Sequence, residues 1–133
     1  MTAKEYLKQI GDKDKRLRLE REKLIKLKAA VEYHPPSFGE CGGSRSDKGK
    51  ALDKLIELEQ KYDRMAADYL TEYTEADRLI HSLSDRTLRE VLERRYLLYQ
   101  KWEDIAEAMG YTVRHITRLH GEALQKMSLN VHI

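Results

Sequence analysis

Apolar residues recur, mostly at steps of three and four, from Leu52 to Leu83: Leu52, Leu55, Ile56, Tyr62, Met65, Ala66, Tyr69, Tyr73, Ala76, Ile80 and Leu83. Strands alternate with a period of two. A seam more than four heptads long therefore commits this stretch to a single helix. At 1.5 Å per residue, a helix over about 47–83 would be roughly 50 Å long. Propensity alone does not hold a helix of that length, so the stripe needs another helix to cover it.

The nearest candidate partner lies at the start of the chain. Thr2-Ala3-Lys4-Glu5 reads as a capping box. Tyr6, Ile10, Leu17, Leu24, Leu27 and Val31 then form one helical stripe, which predicts a helix from about 3 to 33. Gly11 weakens its second turn by about 1 kcal/mol relative to Ala. The two stretches also differ in charge. Residues 1–33 carry ten Lys/Arg against six Asp/Glu, whereas residues 47–83 carry six against nine. Two solvated faces would explain this. So would two segments lying side by side, as an antiparallel hairpin or as a coiled coil between two copies of the chain.

Between them, HPPSFGECGGSRSDKGK breaks the pattern. Pro35 and Pro36 stop the first helix, and Gly39, Gly42 and Gly43 predict a flexible loop over 34–46. GGSRSDKGKA has only a superficial likeness to a phosphate-binding loop. Five residues separate Gly43 from Gly49 where the motif needs four, and Ala51 stands where a magnesium-binding hydroxyl is required. His34 and Cys41 supply two potential metal ligands, too few for a site. The chain has one Cys, so there is no disulfide framework and no CxxC pair. With no nucleophile–base set, metal constellation or phosphate loop, the sequence argues against an enzyme, and no cofactor is expected. No run of 18 apolar residues spans a bilayer, and the N-terminus lacks a signal-peptide core. The expectation is an all-α, cytoplasmic protein without membrane contact.

Ser84-Asp85 begins a different pattern. In SDRTLREVLERRYLLYQ, Leu88, Val91, Leu92, Tyr96 and Leu97 share one side, and Gln100-Lys101 forms a short connection. Trp102, Ile105, Ala106 and Met109 then suit a short buried face. Gly110 is placed to end that helix in the left-handed region, and Thr112 to cap the next. The following helix would bury Ile116, Leu119, Ala123, Leu124 and Met127. It would expose Val113, Arg114, His115, Thr117, Arg118, His120 and Gln125. A short helix, a glycine turn and a second helix with a polar outer stripe are the parts of a helix-turn-helix. Arg can reach guanine in a bidentate fashion, while Thr and His bond base edges or phosphates. The candidate DNA-binding residues are Thr112, Val113, Arg114, His115, Thr117 and Arg118, with Lys101 and Lys126 toward phosphates. Arg94 and Arg95 are further phosphate candidates, Arg95 alternatively forming an ion pair at the core edge. A plain helical hairpin with charged outer faces has the same periodicity.

WEDIAEAMGYTVRHITRLHGEALQKM resembles the region-four helix-turn-helix of bacterial sigma factors. The lead-in LREVLERRYLL carries the family's Arg-Tyr pair at Arg95 and Tyr96. Trp102, Asp104, Ile105, Ala106, Met109 and Gly110 fit the turn helix, Thr112 fits the cap, and Ala123, Leu124, Lys126 and Met127 fit the tail. The resemblance covers about residues 84–128. His120 stands where that family usually has Glu, and Val113 and Thr117 where it usually has Arg. The whole chain is similar to phage late transcription regulators of the ArpU and RinA kind. That resemblance implies an arm over 1–83, a helix-turn-helix domain over 84–133, and regulation of phage or prophage genes in a bacterial host cell. It implies double-stranded DNA as partner and host RNA polymerase as a second candidate. One helix-turn-helix of this size makes few base contacts and the long apolar seam can join two copies, so a homo-oligomer is expected, with a dimer favoured. A small terminase-like packaging factor and a region-four-mimicking protein-interaction module fit the same elements. Salt-dependent binding to duplex DNA separates the module from the other two.

Overall fold

A computed structural model describes residues 1–32 and 44–130. It contains five α-helices and no strand among these residues: α1 (Ala3–Glu32), α2 (Ser44–His81), α3 (Arg86–Leu92), α4 (Trp102–Met109) and α5 (Val113–Asn130). The all-α expectation therefore holds for the described residues. No helix among them is long and apolar enough to cross a membrane. The loop expected over 34–46 falls largely outside the described residues, with His34, Cys41 and most of the glycine-rich stretch. At its far end the helix begins earlier than expected, at Ser44 rather than near Asp47.

The helix ends follow local chemistry. At the start of α1 the capping box is formed reciprocally. The Glu5 amide donates to Thr2 Oγ1 at 3.1 Å, and the Thr2 amide donates to Glu5 Oε2 at 3.0 Å. Asp85 caps α3, its carboxylate accepting from the amides of Thr87 and Leu88 at 2.9 and 3.2 Å.

The described chain divides into two compact units. The first combines residues 1–14 with Tyr69 onward, so it is wider than the C-terminal segment alone. Ala3, Leu7 and Ile10 share one core with Ala76, Leu79, Ile80 and Leu83 of the α2 end, and with Leu88, Val91, Leu92, Ile105, Ile116 and Met127 beyond it. The start of α1 thus lies against the end of α2, the two running antiparallel, and Lys13 pairs with Glu72. Leu7, fully buried, replaces half-buried Tyr6 as the anchor of the first turns. The inward row there is Ala3, Leu7 and Ile10.

After α3 the helix does not stop but widens into a π-helical turn, Glu93–Leu97, where the Leu98 amide donates to the Glu93 carbonyl at 2.9 Å. The extra residue delivers Tyr99 in a left-handed backbone conformation, φ 57°. That costs a non-glycine residue about 1 kcal/mol and persists only where the surroundings over-determine it. Here the Tyr99 hydroxyl meets the Tyr69 hydroxyl at 2.6 Å. The Tyr99 ring also covers Gly11, where a Cβ would stand 3.5 Å from Tyr99 Cε1. Burial raises the pKa of both hydroxyls, so both stay protonated and one can donate to the other.

The second unit spans Lys15–Asp68. Leu17 and Leu55 are buried in it. Glu20 is also buried, with Arg16 and Lys23 at 3.8 and 3.3 Å from its carboxylate. Leu24, Leu58, Tyr62, Met65 and Ala66 are half-buried. Leu52 and Ile56, expected on the inward stripe, are exposed because they lie to one side of the row through Leu55, Leu58 and Tyr62.

Candidate nucleic-acid interface

The turn between α4 and α5 is built as its residues dictate. Gly110 ends α4 at φ 73°, ψ 31°, a conformation that glycine adopts without a Cβ penalty. The Gly110 amide donates to the Glu107 carbonyl at 3.3 Å, and the Tyr111 amide to the Ala106 carbonyl at 3.0 Å. This is a Schellman closure, which satisfies carbonyls that the helix end would otherwise leave open. Thr112 then caps α5, its Oγ1 accepting from the His115 amide at 3.1 Å. Glu103 and Asp104 sit in the first turn of α4, where the helix dipole favours negative charge.

α5 is two-sided. Ile116, Leu119, Ala123 and Met127 are buried, in one core with Ile105 and Ala106 of α4. Val113, Arg114, Thr117 and Arg118 are exposed, and so are Thr112, Lys101 and Lys126. His115 is half-buried. Its ring meets Tyr111 edge-on, centroids 4.7 Å apart, and Arg118 Nη2 lies 3.2 Å from its Nδ1. Thr117 Oγ1 donates to the Arg114 carbonyl at 2.9 Å. Glu122 stands between two cations, 3.9 Å from Arg118 and 3.8 Å from Lys126. Such exposed pairs hold a side chain weakly, so both cations can leave Glu122 for another anion.

Two readings from sequence need correction. His120 is not on the outer stripe: it is buried, 8% exposed. Tyr96 Oη lies 2.6 Å from its Nε2, Tyr96 stacks on it, and Trp102 meets it edge-on at 4.7 Å. Its spacing from Ile116 and Ala123, four and three residues, already put it on the inward row. Burial pushes its pKa down to about 4, assisted by the positive charges of Lys4 and Arg95. Arg95 is a structural side chain rather than a free phosphate contact, although it forms no ion pair among the described residues. It lies over the Trp102 ring at 4.2 Å and donates to the Gln100 carbonyl at 3.0 Å. Arg94 is likewise engaged, donating to Glu90 at 2.8 Å.

Tyr111 is the residue that sequence reading passed over. It is exposed beside His115 at the head of α5. An aromatic placed between a helix-ending glycine and a capping threonine was the available signal. Among the described residues no group of three His, Cys, Asp or Glu side chains could hold a metal ion. Comparison of the chain with protein-family models, curated proteins and solved structures finds no match.

Proposed function

We propose that the chain is a sequence-specific DNA-binding transcriptional regulator, with α4, the Gly110–Thr112 turn and α5 acting as a helix-turn-helix. In this reading α5 enters the major groove N-terminal half first. The observation that carries it is the two-sidedness of α5. Arg114, Thr117 and Arg118 stand exposed on its first turns while Ile116 and Leu119 are buried behind them. Arg114 and Arg118 are four residues apart, so they project together and can read guanine edges, with His115 and Thr117 beside them. Lys101 and Lys126, before and after, suit the phosphates that fix register. The proposal takes α1 and α2 as an antiparallel coiled-coil arm. The likeness of residues 84–128 to sigma region four, and of the chain to phage late regulators, extends it to phage and prophage promoters in a bacterial host. Host RNA polymerase is then the protein partner at the promoter. No reaction is assigned to the chain.

The test is footprinting on candidate phage promoters, followed by titration of variants against specific and scrambled duplexes. Arg118→Ala is expected to cost about 1–3 kcal/mol on the best site and to relax discrimination at one base position. Lys126→Ala is expected to weaken binding to every sequence alike and to flatten the salt slope. An unchanged specific-to-scrambled ratio for folded Arg118→Ala refutes the assignment of α5 as the reading helix.

A further inference from the structure

In the unit formed by residues 15–68, only Leu17, Leu55 and Glu20 are buried among the described residues. Two helices of this length, holding so little between them, leave apolar surface to water. Ile25 is 59% exposed and Ile56 45%. The two isoleucines belong to flanks of a regular kind. On α1 two flank residues each follow an inward one, Arg21 after Glu20 and Ile25 after Leu24, and Lys28 continues that flank beside Leu27, itself 42% exposed. On α2 they are Ile56 after Leu55, Glu59 after Leu58 and Asp63 after Tyr62. One residue is about 100° of helix rotation. Antiparallel helices rotate in opposite senses when viewed from one end. Flanks displaced by one residue from each inward row therefore open on the same side of the pair. That side presents a basic-and-apolar flank from α1 next to an acidic-and-apolar flank from α2. Arg21, Lys28, Glu59 and Asp63 are all exposed and make no ion pair among the described residues.

We propose that this face is covered by a second copy of the chain, α1 of each copy lying against α2 of the other. Two copies stacked face to face by a two-fold axis along the helices bring basic flank onto acidic flank twice. A two-fold axis across the helices would bring basic onto basic and acidic onto acidic. Charge complementarity thus selects the first arrangement, in which the two helix pairs point the same way, and Ile25 and Ile56 fill the centre of the seam. A face two helices wide and about three turns long buries on the order of 1,000 Å² in all, the low end for specific pairs. The dimer is therefore expected to dissociate on dilution and to weaken with added salt.

The inference does not rest on DNA binding, and its test contains no DNA. Sedimentation equilibrium of the full chain is expected to show twice 15.6 kDa at high micromolar concentration. The double variant Ile25→Asp, Ile56→Asp changes only exposed positions. It should keep its helical circular dichroism and run as a monomer. Reversing α1 alone, Arg21→Glu with Lys28→Glu, should raise the dissociation constant at least tenfold. Adding Glu59→Lys and Asp63→Lys to that chain should restore it. A parent that stays at 15.6 kDa at several hundred micromolar overturns the proposal. So does a dimer indifferent to the aspartates. A dimer that the α1 reversal leaves unchanged overturns the pairing of α1 with α2.

Discussion

His120 is a buried base inside the unit that presents α5, and acid should find it. The ordinary histidine pKa of 6.5 falls to about 4 here, because burial disfavours the imidazolium and Lys4 and Arg95 add positive charge. The Tyr96 hydroxyl, its own pKa raised by burial, keeps its proton, so neutral His120 accepts at Nε2. Protonation would turn that acceptor into a second donor. The unfolded chain binds the proton near pH 6.5 and the folded chain only near pH 4. Stability from this group is therefore complete above about pH 6.5, and it declines as pH falls toward 4, where the loss levels off. The full difference corresponds to about 3 kcal/mol, or roughly 10 °C of melting temperature for a chain of this size. Carboxylates titrate in the same window. His81, whose pKa is raised by its bond to the Asp77 carbonyl and by the Asp77 charge, contributes with the opposite sign. The informative quantity is therefore a difference of differences. Melting curves for the parent and for His120→Gln, which keeps an acceptor near Tyr96 but cannot titrate, should converge as pH drops from 7.5 to 4.5. The proton resonance of the His120 ring should meanwhile hold its neutral position down to about pH 5. Parallel melting profiles, or a ring that titrates at 6.5, would refute the reasoning.

Glycines on either side of the cap at Thr112 should respond oppositely to alanine. Gly110→Ala forces a Cβ into φ 73° and should cost about 1–2 kcal/mol, whereas Gly121→Ala meets nothing within 4 Å on α5 and should gain about 1 kcal/mol, both read by urea denaturation. Thr112→Ala removes the acceptor for the His115 amide and should cost about 1 kcal/mol in the same assay. Ile80→Asp places an unpaired carboxylate where the side chain is fully buried, and should unfold the chain or lower its melting temperature by more than 10 °C. Tyr99→Phe removes the hydroxyl that bonds Tyr69 while the left-handed backbone remains, and should cost about 1 kcal/mol by thermal melting.

The features legible in advance are those whose cause lies within a few residues. The capping box at Thr2 and Glu5, the αL glycine at 110 and the Thr112 cap each need only neighbours in sequence, and each forms as spacing predicted. The two-sidedness of α5 is equally local, except at His120, whose polarity argues for the outer stripe and whose position places it on the inner row. A histidine four residues past Ile116 and three before Ala123 belongs to the buried row, whatever its polarity. Three features escaped because their causes lie far apart in sequence. The π-turn at Glu93–Leu97 and the strained Tyr99 depend on Tyr69 and Gly11, thirty and eighty-eight residues away. The anchoring of the first turns by Leu7 depends on which side the α2 end offers. The exposure of Ile25 and Ile56 is the same lesson in reverse. Periodicity identifies residues that can be buried, and a long helix often has two such rows. Which row faces inward is decided by the partner it first meets, and the row left over is where a second partner has its opportunity.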